Sequence, residues 1–237
     1  MRIFRKLPAI AAITLIIFAP QAMADKDELP EITEDGLHLV PDSNLAVVYA
    51  EPGADLSQYN AVQLMDAYVA FKKNWRRNQN SRSANKLGVS NQDIENIKNN
   101  LATEFHQVFV EALEKGGYEV TTESGENVLL IRPAIINLDI TAPDVDRASR
   151  NYSMTSSAGE MTMYLELYDS VTGDLIAKAI DRQVDKRKGS GFYTWTNSVT
   201  NRQAAMRILN GWADILVSAL DEAHKNAGGT EPGETAE

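Results

Sequence analysis

The sequence predicts an α+β fold, a two-layer sandwich in which two main helices pack on a mostly antiparallel sheet. In two long segments, starting near Ile94 and Asn201, apolar residues recur every three or four positions, which places them on one face of a helix. Other segments alternate apolar and polar residues or form short apolar runs, as strands do. Because the strand segments are not each separated by a helix, an α+β arrangement follows.

The first strands are predicted over residues 46–50 and 61–71, which are rich in Val, Tyr, Leu and Phe. Between them, Glu51, Pro52 and Gly53 indicate a turn. We expect the second segment to form one long core strand.

The first long helix has signals at both ends. Ser90, with Asp93 three residues later, forms a capping box, and Gly116 with Gly117 provides a left-handed stop. The apolar face between these signals consists of Ile94, Ile97, Leu101, Phe105, Val108 and Ala112.

Strands follow over residues 118–121 and 128–140, and Pro133 indicates an edge position or a bulge in the second. Residues 161–168 and 175–184 predict a β-hairpin, because a turn centred on Thr172, Gly173 and Asp174 joins two segments of strand composition.

The last helix is predicted over residues 201–223, where Thr200 and Gln203 provide a second capping box. We expect this helix to cover one face of the sheet. Its apolar face consists of Ala205, Ile208, Trp212, Ile215, Ala219 and Ala223.

Residues 1–24 have the composition of a secretory signal. Basic residues precede an apolar run over residues 7–19, and Ala22 and Ala24 are small residues at the two positions that a signal peptidase reads. We expect cleavage after Ala24 and a periplasmic mature protein. The apolar run is shorter than the roughly 20 residues of a membrane-spanning helix, so no transmembrane helix is predicted.

The remaining 213 residues suit one compact domain, which we place at residues 35–227. Residues 25–34 and 228–237 are rich in charged residues, Gly and Pro and have little to bury, so we expect a mobile tail at each end. Without the three basic residues of the signal, the formal charge is −13, from 20 Lys and Arg against 33 Asp and Glu. This charge disfavours nucleic acid and anionic membranes as general partners.

Composition and spacing exclude several kinds of site. The chain has no cysteine, which excludes disulfides, thiolate metal sites and a lipid anchor on cysteine. Two sets of candidate ligands lack the spacing of zinc or calcium sites: His38, His106 and His224, and Asp139, Asp144 and Asp146. Residues 189–191 lack the spacing of a nucleophilic serine elbow. We therefore predict no metal, cofactor or catalytic residue.

Two basic segments stand out against the acidic background. Residues 72–86 carry six basic residues and no acidic one, and a second basic stretch over residues 182–188 precedes several aromatic residues. We expect both to be loops at strand ends. If the fold brings them together, their cations and aromatic residues form a site for an anionic partner. Alternatively, the tryptophans cap the ends of the core and the basic residues only solvate the loops. The candidate residues are Lys72, Lys73, Trp75, Arg76, Arg77, Tyr193 and Trp195.

The hairpin sequence over residues 165–182 resembles a hairpin of the bacterial family called domain of unknown function 3313. Residues 55–59 and 117–120 are similar to other recurrent stretches of that family. The resemblance implies an exported α+β domain and supplies no activity. Many relatives look like lipoproteins with a cysteine after the signal, whereas this chain has Asp25 there and no cysteine, so the resemblance implies no lipid anchor.

Our leading hypothesis is a non-enzymatic envelope domain that binds an envelope component or a protein. One alternative is a carrier that holds an apolar ligand or lipid between the sheet and the last helix, lined by residues such as Leu165, Ile208 and Ile215. Another is a carboxylate-dependent hydrolase, such as a glycan hydrolase, that uses two of Glu104, Glu160 and Glu166.

Overall fold

The computed structural model describes residues 29–82, 88–140, 153–155, 159–184, 194–196 and 198–228. The chain divides into two compact units, Met1–Glu31 and Ile32–Glu237, and all that follows concerns the second. This unit begins three residues before the predicted domain boundary, since Ile32 forms a β-bridge with His38. The predicted signal peptide and residues 229–237 of the predicted tail lie outside the described residues, whereas Gly228, the first residue of that predicted tail, is helical.

The described residues form an eight-stranded sheet and a separate two-stranded sheet. The strands are β1 (His38–Leu39), β2 (Val47–Ala50), β3 (Ala61–Leu64), β4 (Tyr68–Phe71), β5 (Glu119–Val120), β6 (Val128–Ile140), β7 (Ser153–Thr155), β8 (Gly159–Asp169), β9 (Leu175–Val184) and β10 (Thr194–Thr196). In the large sheet the order is β1-β2-β9-β8-β6-β3-β5, and β4 pairs with β6 beyond the end of β3. The predicted hairpin is thereby confirmed as β8 and β9.

The large sheet is mixed. The first five strands in spatial order, β1-β2-β9-β8-β6, are antiparallel to their neighbours. On the other side of β6 the pairing is parallel, since β3 and β4 both pair with β6 and β5 pairs with β3. The α+β class is therefore confirmed, but a mostly antiparallel sheet is not confirmed for the whole assembly. The two-layer arrangement stays a prediction.

Three α-helices lie in the described residues, α1 (Trp75–Arg82), α2 (Asn91–Lys115) and α3 (Ser198–Gly228), together with a short 3-10 helix over Leu56–Gln58. The predicted capping box of α2 is confirmed, because the Ser90 hydroxyl accepts from Asp93 N at 3.1 Å and the Asp93 carboxylate accepts from Ser90 N at 2.7 Å. Gly117 supplies the stop, at φ +90°. The predicted start of α3 is wrong, since Thr200 lies inside the helix and not at its cap.

One face of the sheet packs with α2 and α3 into the core. Alternate residues of β8, from Met161 to Leu167, are buried, as the two-residue period of a strand requires. The predicted face of α3 is confirmed in part, because Trp212 lies in the core and Ala205 and Ile208 pack against it. The other buried core residues of α3 lie about one position further along. They are Leu209, Ala213, Leu216 and Leu220.

Two predictions about strands need correction. Residues 61–71 form two strands and not one, because the chain leaves strand geometry at residues 65–67. Pro133 lies neither at an edge nor at a bulge, because it pairs regularly with Leu165 in a central strand and the register shift of β6 comes later, between Ile136 and Asp139. Its position falls between Ile131, the last partner of β3, and Ala134, the first partner of β4. A proline without an N–H is tolerated there because the parallel neighbour is interrupted at that point.

Candidate functional site

Both predicted basic segments begin at one end of the large sheet. Strands β4 and β6 run in parallel toward this end, where Phe71 lies opposite Leu138. The antiparallel strand β8 starts there, opposite the last residue of β6, and β9 ends there, with Val184 opposite Glu160. Residues distant in sequence therefore meet at this end.

An ion-pair cluster, which we call the carboxylate clamp, connects the two segments. Glu160 binds Lys72 with one carboxylate oxygen, at 3.1 Å, and Arg182 with the other. Lys72 also binds Asp139 at 3.3 Å. The clamp thus consists of Lys72, Asp139, Glu160 and Arg182, and it joins β4, β6, β8 and β9.

The clamp shifts the pKa values of Glu160 and Lys72. Burial raises the pKa of the Glu160 carboxyl, but hydrogen bonds from Arg182 and Lys72 outweigh this and hold the pKa below its ordinary value. Hydrogen bonds to Glu160 and Asp139 raise the pKa of Lys72. Glu160 and Lys72 are therefore charged at neutral pH, and both carboxylates of the clamp are already bound to cations.

Trp75, the first residue of α1, is buried at the edge of the core. It is 3% exposed, its ring stacks on Phe71 with centroids 4.1 Å apart, and its indole N–H donates to Ile140 O at 3.1 Å. Trp75 is thus not the exposed aromatic residue that the binding hypothesis expects, and it lies where the alternative interpretation puts it. The predicted loop over residues 72–86 is also corrected, because it contains α1.

Lys73, Arg76 and Arg77, the other basic residues at the start of the 72–86 segment, differ in their contacts. Arg76 donates to Val89 O at 2.9 Å and to the Asn91 side chain, so it braces α1 against the start of α2 through uncharged acceptors. Lys73 and Arg77 are exposed, and no carboxylate of the described residues binds them. Lys73, Arg76 and Arg77 therefore keep their charge uncompensated by any described ion pair.

A small recess of about 170 Å³ opens beside these cations. It is lined by Lys72, Lys73, Trp75, Asn78, Gln79 and Asp139. Pockets for drug-sized ligands start at about 300 Å³, so the recess suits a small polar group or one side chain of a partner. The seven charged residues of the clamp and of this segment sum to +3: Lys72, Lys73, Arg76, Arg77 and Arg182, with Asp139 and Glu160.

The second basic segment is described only in part. Trp195 lies in β10, opposite Met154 of β7, in the two-stranded sheet. Along the chain, β7 comes after β6 and β10 comes after β9. Tyr193 lies outside the described residues. The structure thus brings Arg182 together with Lys72, which the sequence could not establish, and leaves the aromatic part of the segment as a prediction.

The residues of the two alternative functions occupy ordinary positions. Glu160 and Glu166 are six residues apart on β8, or about 20 Å, whereas paired glycosidase carboxylates are about 5–10 Å apart. Glu104 binds Arg202 at 2.6 Å on the helical side. Leu165, a lining residue of the predicted carrier, is buried in the core. No cluster of three residues able to ligate a metal occurs among the described residues.

Asp139 and Glu160 are the members of the site that sequence reasoning did not connect with Lys72. No local signal links them, because Glu160 is 88 residues from Lys72 and only the strand register brings them together. Among the described helices, none combines the length and the apolar composition needed to cross a bilayer.

A family model described as a protein of unknown function, DUF3313, matches residues 35–216. No curated protein matches the chain. Among solved structures, the PelC dodecamer from Paraburkholderia phytofirmans is 10% identical, with a TM-score of 0.37, over 71% of this chain and 95% of that one. A DUF330 protein from Xanthomonas campestris is 12% identical, with a TM-score of 0.40, over 75% of this chain and 93% of that one. At these TM-scores, the likenesses carry no conclusion about function or assembly.

Proposed function

The chain belongs to the DUF3313 family, whose members are of unknown function, and we propose that it is an exported, periplasmic and non-enzymatic domain that binds an anionic envelope component or protein. The partner binds at the end of the sheet that carries the recess. One observation carries this proposal: Lys73, Arg76 and Arg77 form a patch of uncompensated positive charge on a chain with a formal net charge of −10.

The contrast in charge supports an anionic partner. An anion that approaches most of the surface is repelled, whereas the patch attracts it, so the field guides the partner to one end of the molecule. Lys72 and Arg182 contribute less, because the clamp carboxylates already neutralise them. The binding charge therefore falls on Lys73 and Arg77, which are exposed, and on Arg76, which is held in place.

The state of the clamp supports a binding role over proton-transfer chemistry. A general acid needs a pKa near the working pH, and carboxyl groups reach it through a raised pKa. The pKa of Glu160 is lowered, so this carboxylate serves as a fixed anion that holds two cations.

Export rests on the signal in residues 1–24. A processed chain would begin at Asp25, and a tagged full chain recovered from the periplasm would have the mass of residues 25–237 plus the tag. Recovery of the full mass from the cytoplasm would remove the export part of the proposal.

The partner-binding part is tested by affinity capture from envelope extract with the full chain, tagged at its C-terminus. We compare the wild type with the double variant Lys73→Ser, Arg77→Ser, which leaves the clamp and Arg76 intact. The matched control is Lys115→Ser, Lys225→Ser, which changes the charge equally at exposed positions in the last turns of α2 and α3.

We expect a partner that the wild type and the control capture and that the patch variant loses by at least about tenfold, since removal of rim charges slows association. The loss should shrink as salt rises, because screening weakens the wild-type interaction too. Equal capture by the patch variant and the control would overturn the assignment of the site.

A further inference from the structure

The recess beside the patch presents several N–H donors to a ligand. Lys73 and Asn78 line it, both are exposed, and neither side chain is hydrogen-bonded to any residue that the structure describes. The Lys72 ammonium group has three N–H donors and uses two of them for Asp139 and Glu160. One donor of Lys72 and those of Lys73 and Asn78 are therefore free to bind a ligand.

The recess also contains an acceptor, Asp139. One of its carboxylate oxygens accepts from Lys72 at 3.3 Å, whereas the other has no donor within the described part of the chain. The side chain is 35% exposed, so a ligand can reach this oxygen. Because a carboxylate only accepts hydrogen bonds, the ligand must bring a donor of its own to satisfy it.

The wall of the recess is fixed before a ligand binds. The indole N–H of Trp75 and the side-chain amide of Gln79 both donate to Ile140 O, at 3.1 and 2.8 Å. Trp75 is also buried and stacked on Phe71, so the wall keeps its shape without a ligand. A fixed wall lowers the entropic cost of binding.

A phosphate monoester matches this combination of groups. Lys72, Lys73 and Asp139 together carry a charge of +1, which attracts an anion. The second pKa of a phosphate monoester is about 6, so near that pH one of its oxygens keeps a proton and can donate. Carboxylates, sulfate and phosphodiesters are also small anions, but they have no such proton at neutral pH.

We infer that the recess binds a phosphate monoester group of the partner, an inference that rests on the proposed function. Lys73 and Asn78 donate to the oxygens of this group, and its P–OH donates to the free oxygen of Asp139. The volume of about 170 Å³ admits such a group but not a drug-sized ligand, so the rest of the partner lies outside the recess.

Two-dimensional NMR of the purified chain tests this inference, with inorganic phosphate and sulfate as probes at equal ionic strength. The indole N–H signal of Trp75 reports on the recess, because this residue lines it. We expect saturable shifts with phosphate and at least about tenfold weaker binding of sulfate, since sulfate leaves the Asp139 oxygen without a donor. This comparison needs no variant, and equal affinities for the two anions would overturn the inference.

Two variants identify the groups responsible. Lys73→Ser should weaken the binding of both anions, whereas Asp139→Asn should bring sulfate within about threefold of phosphate, because an amide can donate as well as accept. The matched control is Asp66→Asn, which removes the same charge at an exposed position outside the recess and should keep the preference for phosphate. A preference that a folded Asp139→Asn variant retains would contradict the role of Asp139.

Vesicle sedimentation distinguishes the sources of the group. Vesicles with phosphatidic acid present a phosphate monoester, and vesicles with phosphatidylglycerol present a diester. Cosedimentation with the first alone assigns the group to a lipid, and phosphate binding without cosedimentation assigns it to a soluble or glycan component. Equal cosedimentation with both would contradict a monoester site.

The outcome is separable from that of the proposed function. If the chain captures a partner through Lys73 and Arg77 but does not prefer phosphate to sulfate, the inference fails and the proposed function stands. If it prefers phosphate but the patch variant captures as well as its control, the recess site stands and the proposed partner is removed.

Discussion

At the scale of single residues, Asp181 is the most constrained polar group of the core. It is 5% exposed, and its carboxylate accepts from Ala46 N at 3.0 Å, from the Trp212 indole N–H at 2.7 Å and from the Gln183 amide at 2.7 Å. All three partners are donors. A carboxylate, which only accepts, satisfies them together and connects β9 to the start of β2 and to α3.

We therefore expect Asp181→Asn to lower the free energy of unfolding by about 1–3 kcal/mol, since the new amide turns an NH₂ group toward at least one buried donor. Urea denaturation measures the change. Asp66→Asn, at an exposed position, is the control and should stay within about 0.5 kcal/mol of the wild type. If the two variants were equally stable, the contribution of Asp181 to the free energy of unfolding would not depend on its carboxylate.

At the scale of elements, the approach of β6 to β8 depends on a glycine. Gly159 has φ +154°, and a Cβ at this position would overlap the carbonyl oxygen of Asp139. Neither group can move aside like a side chain, because both belong to paired backbone. This glycine precedes Glu160 and so also positions the carboxylate clamp.

Gly159→Ala should reduce the free energy of unfolding by about 2 kcal/mol or more, because the two strands must separate locally. Gly211→Ala is the matched control. Gly211 lies inside α3 with open space around it, so alanine there should stabilise the protein by about 0.5–1 kcal/mol. Urea denaturation of both variants distinguishes a local clash from a general response to an added methyl group.

The clamp predicts a dependence on acid pH. Because the pKa of Glu160 is lower in the folded chain than its ordinary value of 4.5, its stabilisation is fully present above that value and is lost as the pH falls through the folded pKa. We expect Glu160→Gln to cost up to about 1 kcal/mol at pH 7, since both cations are partly exposed. In urea denaturation the cost should shrink as the pH falls below 4.5.

Glu126→Gln, at an exposed residue, is the control and should follow the wild type across this pH range. A cost of Glu160→Gln that stays constant from pH 7 to pH 3 would contradict the role of ionic contacts in the clamp.

At the scale of the whole molecule, local signals explain what the sequence could predict. Helix α2 has its capping box and Gly117, and the β8–β9 hairpin has its turn, so both are predictable from neighbouring residues. The break at residues 65–67 contains no Gly or Pro, and α1 has no apolar periodicity. Helix α3 carries apolar residues on two adjacent stripes around Trp212, and only tertiary packing decides which of them is buried more deeply.

The candidate site was predictable only as a set of cations. Their division into paired and unpaired charges depends on contacts between Glu160 and residues 88 and 22 positions away. Such contacts follow from strand register, which single-residue patterns do not specify.

The acidic surface predicts that salt stabilises this protein. With a formal net charge of −10, self-repulsion opposes the compact state, and it weakens as the Debye length falls from about 30 Å at 0.01 M salt to about 8 Å at 0.15 M. We expect the free energy of unfolding at pH 7 to rise over this range by about 1 kcal/mol in urea denaturation.

The double variant Lys73→Ser, Arg77→Ser, which is more negative by two charges, should gain more from the same salt. A decrease in stability with salt would mean that surface ion pairs outweigh the repulsion.

The mixed sheet also sets the order in which its parts can form during folding. The β8–β9 hairpin closes through a short turn, and such hairpins form in about 1–10 μs. The parallel pairing of β3 with β6 joins Ala61 to Val128, across 67 residues that include both α1 and α2. Closing so long a loop is entropically costly before its contacts form, so we expect the hairpin to fold early and β3 to dock late.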